Sequence, residues 1–377
     1  KKIINYNNLI KINFDHIIIS PGIDIENCKL SNFIKRNLEK VNTDIDVFYS
    51  IYNKNKNITI TGTNGKSTTA KILYEVLRDQ KFDVRLVGNI GNPILSEKKI
   101  KKNTIFVIEA SSYQLEYSKI FKSNYAVILN ISPDHLERHK TLKNYVRAKF
   151  KLIKNQQHSD NAFLNTKNHY LRKEIKMNRI RSKIINVDNK IDDKIVKKIN
   201  NSYFLTDSNI ENLSFIIKIS KKLQLNQIKL IKTLRKFKGL NYRQQIIYKS
   251  KYLTIINDSK STSYSSSVAL LKSLSNVYWL VGGIPKLGDQ FLLTKKSCSK
   301  VKAYIFGKNK RNFIRELRNK MIFESVKNLN LAIKKIFIDI KKNKTKEHNV
   351  ILFSPASASF DSFKNFEERG EYFNNQI

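Results

Sequence analysis

The sequence predicts an α/β protein built on parallel sheets, and three observations carry that expectation. An apolar, β-branched run at 57–61 ends in a glycine loop that opens onto a helix-patterned segment at 66–79. Strand and helix patterns then alternate as far as residue 236, as in sheets whose strands are joined by crossover helices. Near Phe237-Lys238-Gly239-Leu240 the alternation starts afresh, so a second α/β domain is expected from there to residue 377.

Taken in order, residues 1–56 offer one strand candidate, Asp15-His-Ile-Ile-Ile-Ser20, then the turn Pro21-Gly22 and a helix candidate around 30–38. That is too little for a complete sheet domain, so 1–56 reads as the remnant of an N-terminal domain. The chain opens on Lys1 and not on Met, and a further βα unit is expected upstream. In 57–236 the strand candidates are 57–61, 83–87, 104–109 and 125–130, and the helix candidates 66–79, 141–155, 209–222 and 225–235. In 237–377 strands are expected near 252–256, 277–281, 301–306 and 349–353, with helices near 262–273, 327–340 and 362–375. Neither an internal repeat nor a low-complexity linker interrupts this pattern.

Bulk composition narrows the class. The 377 residues are 41% hydrophobic with only 5 Pro, which suits a globular chain of two or three domains. No run approaches the roughly 20 apolar residues that cross a bilayer, and no signal-peptide pattern is visible. Cys28 and Cys298 are too few and too far apart for a disulfide or zinc framework, so a reducing cytoplasm is expected. The net charge of +40 would suggest nucleic acid or an anionic membrane. Its lysines, however, are spread along the chain among many Ile and Asn, residues that share A/T-rich codons, and basicity is read here as compositional drift. Runs such as Lys98-Lys-Ile-Lys-Lys102 and Lys341-Lys-Asn-Lys344 read as solvated loops or helix faces. Neither nucleic-acid binding nor membrane insertion is expected.

The chemistry starts at Thr61-Gly-Thr-Asn-Gly-Lys-Ser-Thr68. Strand, glycine loop and helix start form a cradle for phosphates: loop amides and the positive helix end face the anion, Lys66 adds a charge, and Ser67 can ligate Mg²⁺. The spacing Gly62-x-x-Gly65-Lys66-Ser67 is two residues shorter than the usual phosphate loop. An ordinary strand–helix turn would not call for Lys-Ser-Thr at its helix start. Glu109 ends the apolar run 104–108, and ligands gather at the carboxyl ends of parallel strands, so it is placed to share that Mg²⁺. Asn130 ends the next run, with Asp134-His135 close behind. Further on, Asn257-Asp-Ser-Lys-Ser-Thr262, Gly282-Gly-Ile-Pro-Lys286 and Ser354-Pro-Ala-Ser-Ala-Ser359 each follow a strand candidate. Two α/β domains with polar strand-end loops suggest a cleft where ATP meets an anionic substrate.

With these residues in view the chain resembles the Mur ligases, from about residue 13 to the C-terminus. The phosphate loop belongs to the whole superfamily, folylpolyglutamate synthases included. Five segments resemble the branch that adds D-glutamate: Gly88-Asn-Ile-Gly91, Glu109-Ala-Ser-Ser-Tyr-Gln-Leu-Glu116, Asn130-Ile-Ser-Pro-Asp-His-Leu-Glu-Arg138, Asn257-Asp-Ser-Lys260 and Ser354-Pro-Ala-Ser-Ala-Ser-Phe-Asp-Ser-Phe-Lys-Asn-Phe-Glu-Glu-Arg-Gly370. The Asp-Asn-Pro-Arg signature of the diaminopimelate- or lysine-adding branch is absent. A sister Mur ligase or a folylpolyglutamate synthase-type ligase is the alternative, and a basic nucleic-acid-binding ATPase a more distant one.

The resemblance implies a three-domain architecture: an incomplete N-terminal UDP-binding domain (1–56), a central parallel-sheet ATPase domain (57–236) and a C-terminal Rossmann-like domain that takes D-glutamate (237–377). It implies amide formation between UDP-N-acetylmuramoyl-L-alanine and D-glutamate by way of an acyl phosphate, for peptidoglycan precursor synthesis. A monomer with ATP and Mg²⁺ as cofactors is expected. Carried over position by position, Gly62, Thr63, Asn64, Gly65, Lys66, Ser67 and Thr68 hold the phosphates. Ser67 and Glu109 hold one Mg²⁺, and His135 helps to hold a second. Lys149 matches a lysine that becomes a carbamate, an anion near the metal, and joins Lys66, Glu109 and His135 as catalytic candidates. Asn89 and Ser111 lie along the muramoyl-alanine path. Asn209 and Asn212 sit by the adenine, Arg243 by the phosphates and Asp258 by the ribose. Lys260, Thr262, Lys286, Ser359, Phe360 and Phe366 line the D-glutamate pocket. The chain departs from the family pattern at Tyr242, where His is expected, at Thr206-Asp207-Ser208 before Asn209, and at Phe360, where Leu is common.

Overall fold

The computed structural model describes residues 5–286, 288–342 and 347–377; Lys1 and the Asn343-Lys344 end of the second basic run lie outside them. The described residues divide into two compact units. The first comprises residues up to 131, 138–200 and 211–236, and the second 132–137, 201–210 and 237–377.

The first unit holds a short parallel pair, β1 (Ile17–Ile18) with β2 (Val41–Asn42), packed through Ile19, Ile25, Ile34 and Val41. Thr43 and Asp46 form a capping box on the helix Asp44–Tyr52. Asp46 also accepts the backbone N–H groups of Lys119, Ile120 and Phe121, each at 3.0 Å, which docks this helix on the loop after Tyr117. The sequence reading has no helix here, because its signal lies in a cap and not in a long apolar period.

The main sheet of this unit has six strands: β3 (Asn57–Thr61), β4 (Val84–Gly88), β5 (Ile105–Glu109), β6 (Tyr125–Ile128), β7 (Asn161–Leu164) and β8 (Lys183–Asn186). They lie in the order β4-β5-β3-β6-β7-β8 and every pairing is parallel. β3 and β5 are buried along their whole length, which suits the unbroken Ile, Val and Thr content of strands covered on both faces. From β3 the chain winds to the β5 and β4 side and then returns to β6 on the other. The strand order therefore reverses at β3, the position where open parallel sheets leave a crevice for ligands. The helix Lys66–Asp79 follows β3 and buries Ala70, Ile72, Leu73, Val76 and Leu77. Expected strands and helices fall within a residue or two of those observed, while β7 and β8, four residues each, escaped the sequence reading.

The second unit carries a six-stranded sheet of β9 (Gln245–Lys249), β10 (Leu253–Asn257), β11 (Val277–Gly282), β12 (Val301–Phe306), β13 (Ile322–Ser325) and β14 (Asn349–Phe353). The order is β13-β12-β11-β14-β10-β9, parallel except for the antiparallel edge strand β9. The two edge strands β9 and β13 were not expected; both are half exposed, so their apolar signal is diluted. β14 lies between β10 and β11. The loops at 257–262, 282–286 and 354–359 thus leave the same ends of three adjacent strands.

Candidate active site

In the first unit the glycine loop is held from several directions. Asn130, at the end of β6, accepts the Asn64 N–H with Oδ1 at 2.8 Å, and its own carbonyl accepts the Thr63 N–H at 3.0 Å. Its Nδ2 donates to Glu211 Oε2 at 2.9 Å, and burial raises the pKa of that carboxyl. The Thr63 hydroxyl lies 3.0 Å from the Tyr145 hydroxyl. Gly65 caps the helix with φ +83°, and a Cβ there would meet Asn212 Oδ1 at 2.1 Å. Only glycine tolerates both that dihedral and that approach. Asn212 Oδ1 is buried and has no hydrogen-bond partner among the described residues.

Lys66 folds back over the loop, donating to Gly62 O at 2.9 Å and Thr63 O at 2.8 Å. Lys149, on the helix Leu142–Lys154, is buried; its Nζ donates to Gly62 O at 2.8 Å and lies 4.6 Å from the centre of the Tyr145 ring. Two lysines therefore converge on the carbonyl of Gly62. Ser67 and Thr68 are buried in the first helical turn.

Glu109 closes β5 in register with Ile60, two residues before Gly62. It is buried, and its Oε1 accepts from Asn89 Nδ2 at 2.9 Å. Glu109 Oε2 is buried with no hydrogen-bond partner among the described residues. A lone buried carboxylate oxygen is costly, and at the end of the strand that neighbours β3 its chemistry fits a hard, oxygen-seeking cation such as Mg²⁺. Ser111 is occupied in a capping box: its hydroxyl accepts from the Gln114 N–H at 3.2 Å.

In the second unit a polar chain joins Asn209 to Asp258. Asn209 Nδ2 donates to Tyr203 O at 2.7 Å and to Gln244 Oε1 at 3.1 Å, and the Gln244 N–H donates to Asp258 Oδ1 at 3.1 Å. The Ser354 hydroxyl donates to Asp258 Oδ2 at 2.9 Å. Burial pushes the Asp258 pKa up to about 7, against the opposing pull of those hydrogen bonds. Tyr242 and Gln244 stand on either side of Arg243 with φ +60° and +50°, a strained pair of backbone positions. Lys260 Nζ lies 4.0 Å from the centre of the Phe366 ring, and the Arg243 guanidinium 5.7 Å from it.

Lys286 pairs with Asp134 at 2.5 Å. Around this pair a pocket is lined by Pro133, His135, Leu136, Gly288 and Asp289. Burial, aided by repulsion from Asp134, raises Asp289 to about 6, although its Oδ2 accepts the Tyr264 N–H at 2.7 Å. His135, with φ +54°, places Nε2 3.4 Å from Asp134 Oδ2 and Nδ1 3.3 Å from Glu137 Oε1. Ser359 is buried and Thr262 half-buried, whereas Phe360 is 73% exposed. Among the described residues no group of three or more His, Cys, Asp and Glu could by itself hold a metal ion.

Sequence reasoning passed over Gln244, Ser354, Tyr145, Ser259 and Arg369. Ser259, Ser354 and Arg369 lie within segments singled out above but were given no role; Gln244 and Tyr145 carried no signal.

The Mur ligase middle domain family matches residues 60–232, the stretch that contains the glycine loop, Glu109 and Lys149. The UDP-N-acetylmuramoylalanine–D-glutamate ligase of Rickettsia bellii is 33% identical over 96% of this chain and 84% of its own length. That of Francisella tularensis is 32% identical over 97% and 85%. The chain belongs to the UDP-N-acetylmuramoylalanine–D-glutamate ligase family. It is a ligase with the α/β architecture of the Mur enzymes. Among solved structures, MurF from Acinetobacter baumannii superposes with a TM-score of 0.66 over 88% of this chain and 78% of its own, at 14% identity. MurF ligase from Thermotoga maritima in complex with ADP gives 0.62 over 92% and 91%, at 16% identity. At such identities these structures speak for the fold alone.

Proposed function

We propose that this ligase joins D-glutamate to UDP-N-acetylmuramoyl-L-alanine at the expense of ATP, in the cytoplasmic synthesis of peptidoglycan precursors. The observation that carries the proposal is the glycine loop at the reversal point of the parallel sheet, with the open oxygen of Glu109 on the neighbouring strand. The domain boundaries at residues 56/57 and 236/237 are part of the same reading.

The loop amides from Gly62 to Thr68, with Lys66, would cradle the ATP phosphates. Ser67 and Glu109 would hold one Mg²⁺ and His135 would help with a second. When bound, the metal offsets the negative charge that gathers as a carboxylate approaches a phosphate. Asn89 steadies Glu109 and, with Ser111, borders the muramoyl-alanine path. Asn209 and Asn212 serve the adenine, Arg243 the phosphates and Asp258 the ribose. Lys260, Thr262, Lys286, Ser359, Phe360 and Phe366 form the amino-acid pocket. Lys286 already binds a carboxylate, that of Asp134, which supports its use as a carboxylate receptor. The amide forms when the D-glutamate amine attacks the carbonyl of the L-alanyl acyl phosphate, the C–O bond to phosphate breaks and phosphate leaves as the amine gives up a proton; exclusion of water protects that activated acid.

The surroundings of Lys149, a carbonyl oxygen and an aromatic face, fit an ammonium. A carbamate there would be an anion that the Gly62 carbonyl repels, so no step is assigned to it. Bicarbonate dependence of activity would reveal it. The function itself is tested by phosphate release with ATP, Mg²⁺, UDP-N-acetylmuramoyl-L-alanine and a panel of D-glutamate, L-glutamate, L-alanine and diaminopimelate. Release that requires the UDP substrate and D-glutamate together is expected. Preference for another amino acid would overturn the reading.

A further inference from the structure

The run Phe366-Glu-Glu-Arg-Gly370 contributes only Phe366 to the assignments above, yet its arginine is, among the described residues, the second largest fully buried side chain. Arg369 lies in the first turns of the helix Phe366–Asn374. Burial lowers its pKa to about 10, which leaves it charged at neutral pH. A buried guanidinium needs its donors used; here Nη1 is buried with no hydrogen-bond partner among the described residues, and Nε and Nη2 make the bonds. Arg369 Nε donates to the Ser259 hydroxyl at 3.1 Å, and Nη2 donates to Ser259 O at 2.6 Å and to Ser357 O at 3.0 Å.

Those two carbonyls belong to different loops. Ser259 lies just past β10 and immediately before Lys260; Ser357 lies past β14, two residues before Ser359. Between the loops runs one long backbone hydrogen bond, Ser357 N–H to Ser261 O at 3.3 Å. The helix is fixed to the first loop on both sides of Arg369: the Ser259 hydroxyl donates to Phe366 O at 2.8 Å, and Asn257 Nδ2 donates to Gly370 O at 2.8 Å. The Ser357 hydroxyl in turn donates to Gly282 O at 2.6 Å, on the third strand end. The planar fork thus ties the loop that bears Lys260 to the loop that bears Ser359, beside the Ser357–Ser261 backbone bond and the Ser354–Asp258 side-chain bond.

We propose that Arg369 is a positioning residue for amino-acid binding: without touching the substrate, it holds the Lys260 and Ser359 loops at the separation that a dicarboxylic amino acid requires. The proposal rests on the reading that these loops receive D-glutamate. A lysine keeps the charge but cannot bridge two carbonyls with a rigid fork.

The test compares Arg369→Lys, Arg369→Ala and Ser259→Ala with Lys286→Ala, measuring KM for D-glutamate, KM for ATP, kcat and the unfolding midpoint. Arg369→Lys is expected to raise KM for D-glutamate about tenfold, the worth of one lost charge-assisted bond, while KM for ATP stays within about twofold. Added guanidinium should restore part of the loss in Arg369→Ala. Should neither Arg369 variant fold, Ser259→Ala carries the same expectation at about threefold, the cost of a weaker neutral bond. An unchanged KM for D-glutamate in the folded variants, with Lys286→Ala raising it, overturns the proposal and leaves the pocket reading intact. If Lys286→Ala is silent too, the pocket reading fails and takes the proposal with it. Parallel loss of kcat and both affinities, in step with lost stability, also overturns it.

Discussion

Asp258→Asn should make the second unit more stable above neutral pH while impairing catalysis. Asp258 is buried, and that burial lifts its pKa from 3.8 to about 7. The folded state therefore holds the proton more tightly than the unfolded chain does. Stability contributed by this proton is present at low pH and is lost as pH rises from about 4 to about 7. The displacement from 3.8 to about 7 corresponds to about 4 kcal/mol across that window. Asparagine removes the ionisation and keeps the shape: its Oδ1 can accept the Gln244 N–H, and its amide can donate to Ser354, whose hydroxyl also lies 2.8 Å from that of Ser267. The chain's one tryptophan is a suitable probe, since Trp279 is buried in this unit and its Nε1–H donates to Ser354 O at 2.7 Å. Urea unfolding followed by its fluorescence should show the variant and the parent nearly equal at pH 4. The variant should gain steadily up to pH 7 and hold an advantage of up to about 4 kcal/mol beyond it. Asp289, raised by the same cause to about 6, is common to both proteins and cancels in the comparison. A gap that does not change with pH, or a variant weaker than the parent at pH 8, would refute the reasoning.

Three further outcomes are expected. Lys149→Ala should abolish ligation and leave the circular dichroism unchanged, because its Nζ bonds lie at the end of β3, to Gly62 O and the Thr61 hydroxyl, and take no part in the backbone ladder of the sheet; near-normal turnover would remove Lys149 from the site. Asn130→Ala should weaken ATP binding, since three hydrogen bonds that brace the loop and Glu211 disappear, at about 1–3 kcal/mol by calorimetry; unchanged affinity would show that the loop holds its own shape. Gly88→Ala should lower the thermal midpoint and reduce turnover together, because its Cβ would lie 2.4 Å from Glu109 O at φ +103°, a backbone clash that must displace the end of β5. A soluble variant with parental melting would contradict that.

Much of the fold was legible in sequence because its signals are local. β3, β5 and β6 are short runs of β-branched and aliphatic residues, and the helix Lys66–Asp79 announces itself by a glycine loop and an apolar stripe. The elements that escaped are those whose reasons lie elsewhere in the chain. β7 and β8 extend a sheet already nucleated, β9 is held by its antiparallel pairing with β10, and the helix Asp44–Tyr52 is secured by the buried Asp46 on a loop some seventy residues on.

The candidate site divides in the same way. By itself the sequence determined the strand–loop–helix cradle, because Gly62, Gly65, Lys66 and Ser67 act through neighbours in the chain, and it marked the polar strand-end loops of the second sheet as places for ligands. Tertiary structure alone decided that Glu109 keeps one oxygen open beside the cradle, that Asp258 is buried deeply enough to bind its proton near neutrality, and that Arg369 reaches the carbonyls of Ser259 and Ser357. Desolvation and long-range hydrogen bonding depend on which distant residues surround a group, and strand order settles that only once the chain has folded.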